Sequence, residues 1–361
     1  MPTRRLLILS ILVIFTTHSA RAALDFYSAT VPVESQSAAA RNQAVALGLQ
    51  QVLVKVSGRS DSLAHPVIRD ALPRAAGLLL AYSYETVQVP GPDESDLDGE
   101  LIPEEQQQLT MRFEPVGVRD LLRNAGQPIL SASRPTVIAW LAIDDDELRI
   151  LTEQQQDEEL VARIRAAAER RGVRLILPVG DLEDGLFVDA AAVWRYREDQ
   201  VLEASNRYHA DTMLIGRLVK TSTGRWLGDW RYLIENSAVS ANTDQQEPDA
   251  LFDRLMAAIA EEQSQRYAVL ARPGEFQQLL VSVSGIWNFP DYARLAEYLQ
   301  RLNSVRQASV RQVDGENLEF DVLTDSSSDA LRREIALGDL LLVNDSGAGD
   351  VLHYVLNDGS R

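Results

Sequence analysis

No cysteine occurs anywhere in the 361 residues. That absence excludes thiol nucleophiles, thiolate metal sites, a disulfide framework and a lipid-modified amino-terminal cysteine, so stability has to come from apolar burial. Histidine is nearly as scarce. Of the four, His18 falls in the leader described below, and His65, His209 and His353 are scattered with no partner at metal-ligand spacing. Each reads as a surface or hydrogen-bonded histidine. There is also no G-x-S-x-G elbow, no G-x-x-x-x-G-K-[ST] loop and no G-x-G-x-x-G turn after a strand. By motif, therefore, the chain offers no catalytic, cofactor-binding or metal-binding residue, and no cofactor is expected. A hydrolase built on scattered carboxylates is the form of enzyme left open.

Positive charge is short as well, with 35 Lys and Arg against 53 Asp and Glu and a formal net charge of −18. Such a balance repels nucleic acid and anionic lipid unless a basic patch is segregated, and the arginines near Arg163 to Arg174 have the acids Glu158, Glu159 and Glu169 around and among them. Nucleic acid is not an expected partner.

What is present begins with the leader. Arg4 and Arg5 form a basic start, Leu6 to Phe15 an apolar segment, and Ala20-Arg21-Ala22 a small-x-small cleavage site, the layout of a secretory signal peptide. Ten residues at ~1.5 Å each cover only about 15 Å of a hydrocarbon core of roughly 30 Å, too short for an anchor. Cleavage after Ala22, ordinary Sec export, periplasmic location and no transmembrane anchor after cleavage are the expectations. Loss of Arg4, Arg5 and Arg21 makes the mature chain more acidic still.

Behind the leader the apolar periodicity divides the chain into an α+β amino-terminal domain over 23–130, an α/β middle domain over 134–272, a carboxy-terminal domain over 275–345 and a tail over 346–361. In the first, Leu24 to Val33 reads as a strand. Val45, Leu49, Val52, Leu53 and Val56 form a helical stripe that Gly58 stops. A second helix is expected over Pro66–Ala76. Leu78 to Val89 and Leu109 to Phe113 read as paired strands around a long acidic loop, and Val116 to Ala125 as a closing helix.

The middle domain opens on "TVIAWLAI", Thr136 to Ile143, an apolar run of the kind buried on both faces of a sheet. A helix over Glu153–Arg171 stops at Gly172, and "RLILPV", Arg174 to Val179, is the next strand. A helix near Gln200 to Tyr208 and a strand at Thr212 to Val219 follow. Arg225 to Ile234 alternates, with Trp226, Trp230, Tyr232 and Ile234 on one face and Arg225, Asp229 and Arg231 on the other. A long helix carrying Leu251, Phe252, Leu255, Met256 and Ile259 closes a mixed-sheet α/β fold.

In the last domain strands over Gln277–Ser284, Arg306–Val313, Asn317–Leu323 and Leu340–Val343 alternate with helices over Pro290–Leu302 and Asp329–Leu337. The order is the ferredoxin-like βαββαβ pattern, with Asp314-Gly315 as its hairpin signal. The stretch "VSVSGIWNFPDYARL", Val281 to Leu295, joins its first strand to its first helix. Gly285 permits the turn, Asn288 caps the helix and Pro290 sits in its first turn. Trp287 and Phe289 are expected to cover the end of the core, so the corner reads as structural.

One acidic segment has metal-like spacing. "ESDLDGELIPEE" places Glu94, Asp96, Asp98, Gly99, Leu101 and Glu105 where a calcium loop has its ligands, turn glycine, apolar residue and closing acid. A leading Glu in place of Asp, Pro103 and strand-like flanks oppose that reading, which leaves an acidic hairpin tip that binds no calcium tightly. Asp144-Asp145-Asp146-Glu147 reads as a solvated turn.

The stretches "FYSATVPVESQSAAARNQAVALGLQQVLVKVSG", "RPTVIAWLAIDD", "RGVRLILPVGDLED", "ASNRYHADTMLIGRLVKTSTGRWLGDWRYL" and "VSVSGIWNFPDYARLAEYL" are similar to a family of exported proteobacterial proteins catalogued as domain of unknown function 2066. The helix ending in "VSG" and the strand "ADTMLIGRL" resemble modules of the flagellar assembly T protein and the amino-terminal domain of TolB. The resemblance implies an envelope location and a scaffolding role, and carries over no site residues. The expected function is a non-enzymatic periplasmic interaction or scaffolding protein whose partner is another envelope protein. The alternative is a periplasmic enzyme or small-ligand binder with its site between the middle and carboxy-terminal domains.

Overall fold

A computed structural model describes residues 25–95, 101–154, 157–235, 237–245, 247–272, 274–344 and 351–357. The leader and its cleavage site lie outside the described residues.

The amino-terminal unit is a three-stranded antiparallel sheet with helices on one face. Strand β1 (Ser28–Val33) leads into α1 (Ala38–Ser57). Ser37 caps this helix by accepting from the Ala40 N–H, and Gly58 ends it in the left-handed region at φ 70°. The stripe Val45, Leu49, Val52, Leu53 and Val56 is buried as the spacing requires. The expected second helix is one short helix, α2 (Pro66–Ala71), continued by 3₁₀ turns over Leu72–Leu78 because Pro73 removes a helical donor. Strands β2 (Leu79–Ser95) and β3 (Leu101–Phe113) pair with β3 in the centre, so most of the expected acidic loop is strand. Helix α3 (Pro115–Asn124) and the two-residue β4 (Pro128–Ile129) complete the unit.

In the middle unit β5 (Thr136–Asp144) lies at the centre of a six-stranded mixed sheet. Its alternate residues enter two different cores. Val137, Ala139, Leu141 and Ile143 pack with the α4 and α8 side, while Ile138, Trp140 and Ala142 pack with α6 and α7. Burial on both faces is why the run is continuously apolar. The hairpin strand β6 (Leu148–Ile150) is followed by α4 (Glu158–Arg171), which starts later than expected, and β7 (Arg174–Ile176), which is shorter. Three short helices, α5 (Leu182–Phe187), α6 (Ala190–Trp194) and α7 (Glu198–Ser205), form the second layer. Strands β8 (Thr212–Lys220), β9 (Trp226–Ile234) and β10 (Ser237–Gln245) extend the sheet to its edge. In α8 (Pro248–Tyr267) Leu251, Phe252, Leu255, Met256 and Ile259 are buried, each contributing roughly 1.5–3 kcal/mol. Strand β11 (Val269–Leu270) returns to pair with β4.

The last unit has the order β12 (Gln277–Ser284), α9 (Phe289–Arg301), β13 (Gln307–Asp314), β14 (Asn317–Thr324), α10 (Ser328–Ala336) and β15 (Leu341–Val343), the ferredoxin-like βαββαβ pattern. Gly315, at φ 60°, opens the two-residue turn between β13 and β14. The tail departs from the pattern. Strand β16 (Val351–Leu356) inserts parallel to β12 and antiparallel to β15, giving the order β13-β14-β12-β16-β15. The expected fourth strand over Leu340–Val343 forms as β15, an edge strand separated from β12 by the tail. Leu352, Tyr354 and Leu356 are buried in this position, so the tail completes the core.

Two seams join the units. At the first, the Arg134 guanidinium is 1% exposed. It donates to the carbonyls of Ser131, Lys55 and Gly172 at 3.0, 2.8 and 3.0 Å, and lies 4.0 Å from the centre of the Phe26 ring. Lys55 and Gly172 are at the carboxyl ends of α1 and α4, where the helix dipoles concentrate negative charge. A Cβ on Gly172 would stand 2.8 Å from Arg134 Nη1 and 2.9 Å from the Lys55 carbonyl, so only glycine admits this approach. Burial pushes the Arg134 pKa down to about 9, which still leaves it charged at neutral pH. At the second seam Arg123 donates to the Asn303 carbonyl and lies 3.7 Å from Asp325, while Arg306 reaches Asp120 at 2.9 Å.

Candidate functional site

The corner between β12 and α9 is built by local hydrogen bonds. Gly285 has φ 83°, a conformation that disfavours any side chain, although the space beside it is ordinary: a Cβ would be 3.7 Å from Val355 Cγ1. Ile286 turns inward and donates its N–H to the Glu316 carbonyl at 3.0 Å, tying the corner to the β13–β14 turn. Asn288 Oδ1 accepts from the Asp291 N–H at 2.9 Å and Asp291 Oδ2 accepts from the Trp287 N–H at 3.3 Å, a reciprocal cap that fixes the backbone on both sides of Asn288.

That rigid backbone presents its aromatic rings to solvent. Trp287 is 76% exposed and Phe289 75% exposed, and on the adjoining hairpin Val313 is 65% exposed. The Phe289 ring lies against Tyr292, with centroids 5.7 Å apart. The expectation that Trp287 and Phe289 cover the end of the core is therefore corrected. Ile286 fills that role, and once it points inward, the alternation of the extended backbone turns Trp287 outward. Exposed rings on a capped helix start form a preorganised apolar contact surface, in which the nearby Asp291 carboxylate is occupied in capping the Trp287 N–H.

A second cluster joins residues of α6, its following turn, β8 and β9. Tyr196, in the left-handed region at φ 54°, donates its hydroxyl to the Asp229 carbonyl at 2.8 Å and to the Asp229 carboxylate. Arg217 donates to the same carboxylate at 3.0 Å, and the Arg217 and Arg231 guanidinia lie 5.3 and 4.9 Å from the Tyr196 ring centre. Burial, followed by the Asp229 carboxylate, pushes the Tyr196 phenol well above its usual range. A phenol held protonated in this way is a donor and not a base. The β9 alternation places Asp229 and Arg231 on one face, but Trp194 and Tyr196 come from a connection with no periodic signal. A comparable arrangement holds Tyr208 against Asp184 at 2.7 Å and Arg207 against Asp181 at 2.7 Å, where the Arg207 hydrogen bond keeps the Asp181 carboxyl at about 2.

The remaining sequence candidates are not brought together. His65 precedes α2, His209 follows α7 in the left-handed region, and His353 lies on β16. Among the described residues no group of three or more His, Asp or Glu could hold a metal ion. Asp96, Asp98 and Gly99 of the calcium-like segment lie outside the described residues. In the Asp144 to Glu147 turn, Asp145 pairs with Arg149, which also reaches buried Asp157 at 3.0 Å. Between the middle and carboxy-terminal units a hollow of about 310 Å³ is lined by Arg272, Phe276 and Ser326 to Ser328. There Ser327 caps α10, and the Ser326 hydroxyl bonds Thr324 Oγ1 at 2.9 Å. No described helix is long and apolar enough to cross a membrane.

Residues 20–131 match the family model described as Domain of unknown function (DUF8605). That match covers the amino-terminal unit and overturns the resemblance to the domain of unknown function 2066 family, the flagellar assembly T protein and TolB. The residues behind that resemblance explain the correction. Val56-Ser57-Gly58 is a buried helix end with its glycine cap, and "ADTMLIGRL" carries a sheet-centre strand; many unrelated folds require both patterns. No curated protein and no solved structure matches the chain.

Proposed function

We propose that this chain is a non-enzymatic interaction protein of the bacterial envelope, exported to the periplasm, that docks another envelope protein through the β12–α9 corner. The carrying observation is the exposure of Trp287 and Phe289 on a backbone fixed by the Asn288–Asp291 cap. Large rings held out at so low a conformational cost are what interface anchors require. The secretory leader supports the location, and the acidic balance turns the search toward protein partners.

The test is a photo-crosslinking residue at position 287 in cells carrying the full chain, with position 301 on the same helix as control. A discrete adduct with one envelope protein from 287 alone, lost on Phe289→Ala while the melting temperature holds, is the expected result. Absence of any 287-specific adduct, or hydrolytic turnover by the purified chain that one acidic substitution abolishes, overturns the reading.

A further inference from the structure

The outer edge of the middle sheet is unguarded. Among the described residues strand β10 pairs only with β9, in unbroken register from Ser237–Ile234 to Gln245–Trp226. One side of β10 therefore presents N–H and C=O groups with no ladder partner. Long edge strands are ordinarily blunted by charged side chains, proline or a bulge; "SAVSANTDQ" has no proline and no bulge, and its one charge, Asp244, lies next to the strand's end and is paired with Arg225. The other long edge strands are blunted: β13 is bulged between Val310 and Gln312, β1 contains Pro32 and β2 is irregular between Leu79 and Ala81, while β6, β7 and β15 are only three residues long.

Beside this edge, on the face turned away from α4 and α8, the sheet holds a hollow of about 430 Å³. Trp194, Val219 and Leu227 supply its apolar lining, and Arg217, Asp229 and Asn242 its polar one. The charges here are already matched, with Arg217 on Asp229 at 3.0 Å and Arg225 on Asp244 at 2.8 Å. In a chain of net charge −18 this is an electrically neutral strip. An uncharged segment can approach it without leaving a buried charge unpaired.

We infer that β10 is a strand-addition site that takes an extended, uncharged segment of another protein, with a bulky apolar side chain of that segment seated in the hollow. Backbone hydrogen bonds along the edge supply general affinity, and the hollow reads every second side chain of the added strand. A second copy of this chain fits poorly. Its own β10 would bring Ala238, Ser240, Asn242 and Asp244 to that face, side chains too small or too polar to fill the space. This site is separate from the β12–α9 corner and stands without it.

The test uses the full chain and two fluorescein-labelled nonapeptides, one alternating threonine with phenylalanine and one alternating threonine with alanine, read by anisotropy. Neighbouring N–H groups on a strand point to opposite edges, so of Ser240→Pro and Ala241→Pro one removes an outward donor and the other breaks a bond to β9. The phenylalanine peptide is expected to bind at least ~10-fold more tightly than the alanine one. One of the two proline variants should lose that binding with its melting temperature intact. Leu227→Trp, which fills the hollow, should erase the preference between peptides, whereas Trp287→Ala should leave both affinities unchanged. The inference is overturned if the phenylalanine peptide does not bind the wild-type chain or if both peptides bind equally. It also fails if neither proline variant alters binding, if Leu227→Trp keeps the preference, or if the chain forms a dimer that the proline variants abolish. Should both proline variants unfold, the Leu227→Trp comparison decides alone.

Discussion

Arg134, between the amino-terminal and middle units, and Arg123, between the amino-terminal and carboxy-terminal units, are both buried, yet only Arg123 faces carboxylates. Arg134 has no carboxylate at ion-pair distance among the described residues. Three backbone carbonyls, two of them at helix ends, and the face of Phe26 hold it. Arg123 has one carbonyl and shares Asp120 and Asp325 with Arg306, and its Nε makes no hydrogen bond among the described residues. The first seam thus depends on the placement of helix ends and the second on a set of charges. Helix-end carbonyls buried in a seam are screened little by salt, whereas partly exposed ion pairs are screened strongly.

The sharpest way to break this comparison is Arg134→Ala. It strands buried carbonyls and opens a cavity where two helices meet, for an expected loss of about 3–5 kcal/mol in chemical denaturation, little changed by added salt. A cost below about 1 kcal/mol would show that the guanidinium does not hold the seam. Arg123→Ala should cost less, roughly 2–4 kcal/mol, because it also relieves the unsatisfied Nε. Adding Asp325→Asn should recover part of that loss, since the buried carboxylate, left with Arg306 alone at 3.8 Å, is then neutral; strict additivity in the double mutant would refute the ion-pair account.

Glu334 buttresses the second seam from inside the carboxy-terminal unit. Its carboxylate accepts from Asn303 N, Ser304 N and Ser304 Oγ at 2.7, 2.8 and 2.7 Å, and burial raises its pKa. Glu334→Gln should cost about 1–2 kcal/mol, because an amide cannot accept at both former oxygens. Since the folded state binds this proton more readily than the unfolded chain, the carboxyl's contribution is greatest in acid and declines as pH rises through the folded pKa. Unfolding titrated from acid to neutral pH should show that decline in the wild type and not in Glu334→Gln.

Arg306→Ala removes a pair that is a third exposed or more on both sides and should cost at most about 1 kcal/mol, vanishing in high salt. Trp287→Ala should have the smallest effect, within about 0.5 kcal/mol, because its indole is in solvent. A large drop in melting temperature would place that ring against the core after all.

Elements with one buried face were legible in the sequence because their pattern is local. The Val45 to Val56 stripe, the alternation of Trp226, Trp230 and Tyr232, the Asn288 cap and the Gly315 turn each need only a few neighbouring residues to specify them. Strand β10 was missed because an edge strand exposed on much of its surface has no alternation to read. Of the candidate sites, Trp287 and Phe289 were singled out but assigned to the wrong side, and Trp194 and Tyr196 had no signal at all.

The amino-acid sequence by itself determined the lack of thiol chemistry, the acidic balance and the order of those helices and strands that bury a patterned face, because composition and short-range periodicity act through each residue and its near neighbours. Only the tertiary structure decided that β16 inserts between β12 and β15, that Arg134 reaches the ends of two helices, and that Trp287 faces outward. Each of these depends on groups tens of residues distant along the chain. A strand's pattern records how many of its faces are buried, while its partner, and the side of a corner that meets solvent, are set by what else packs there.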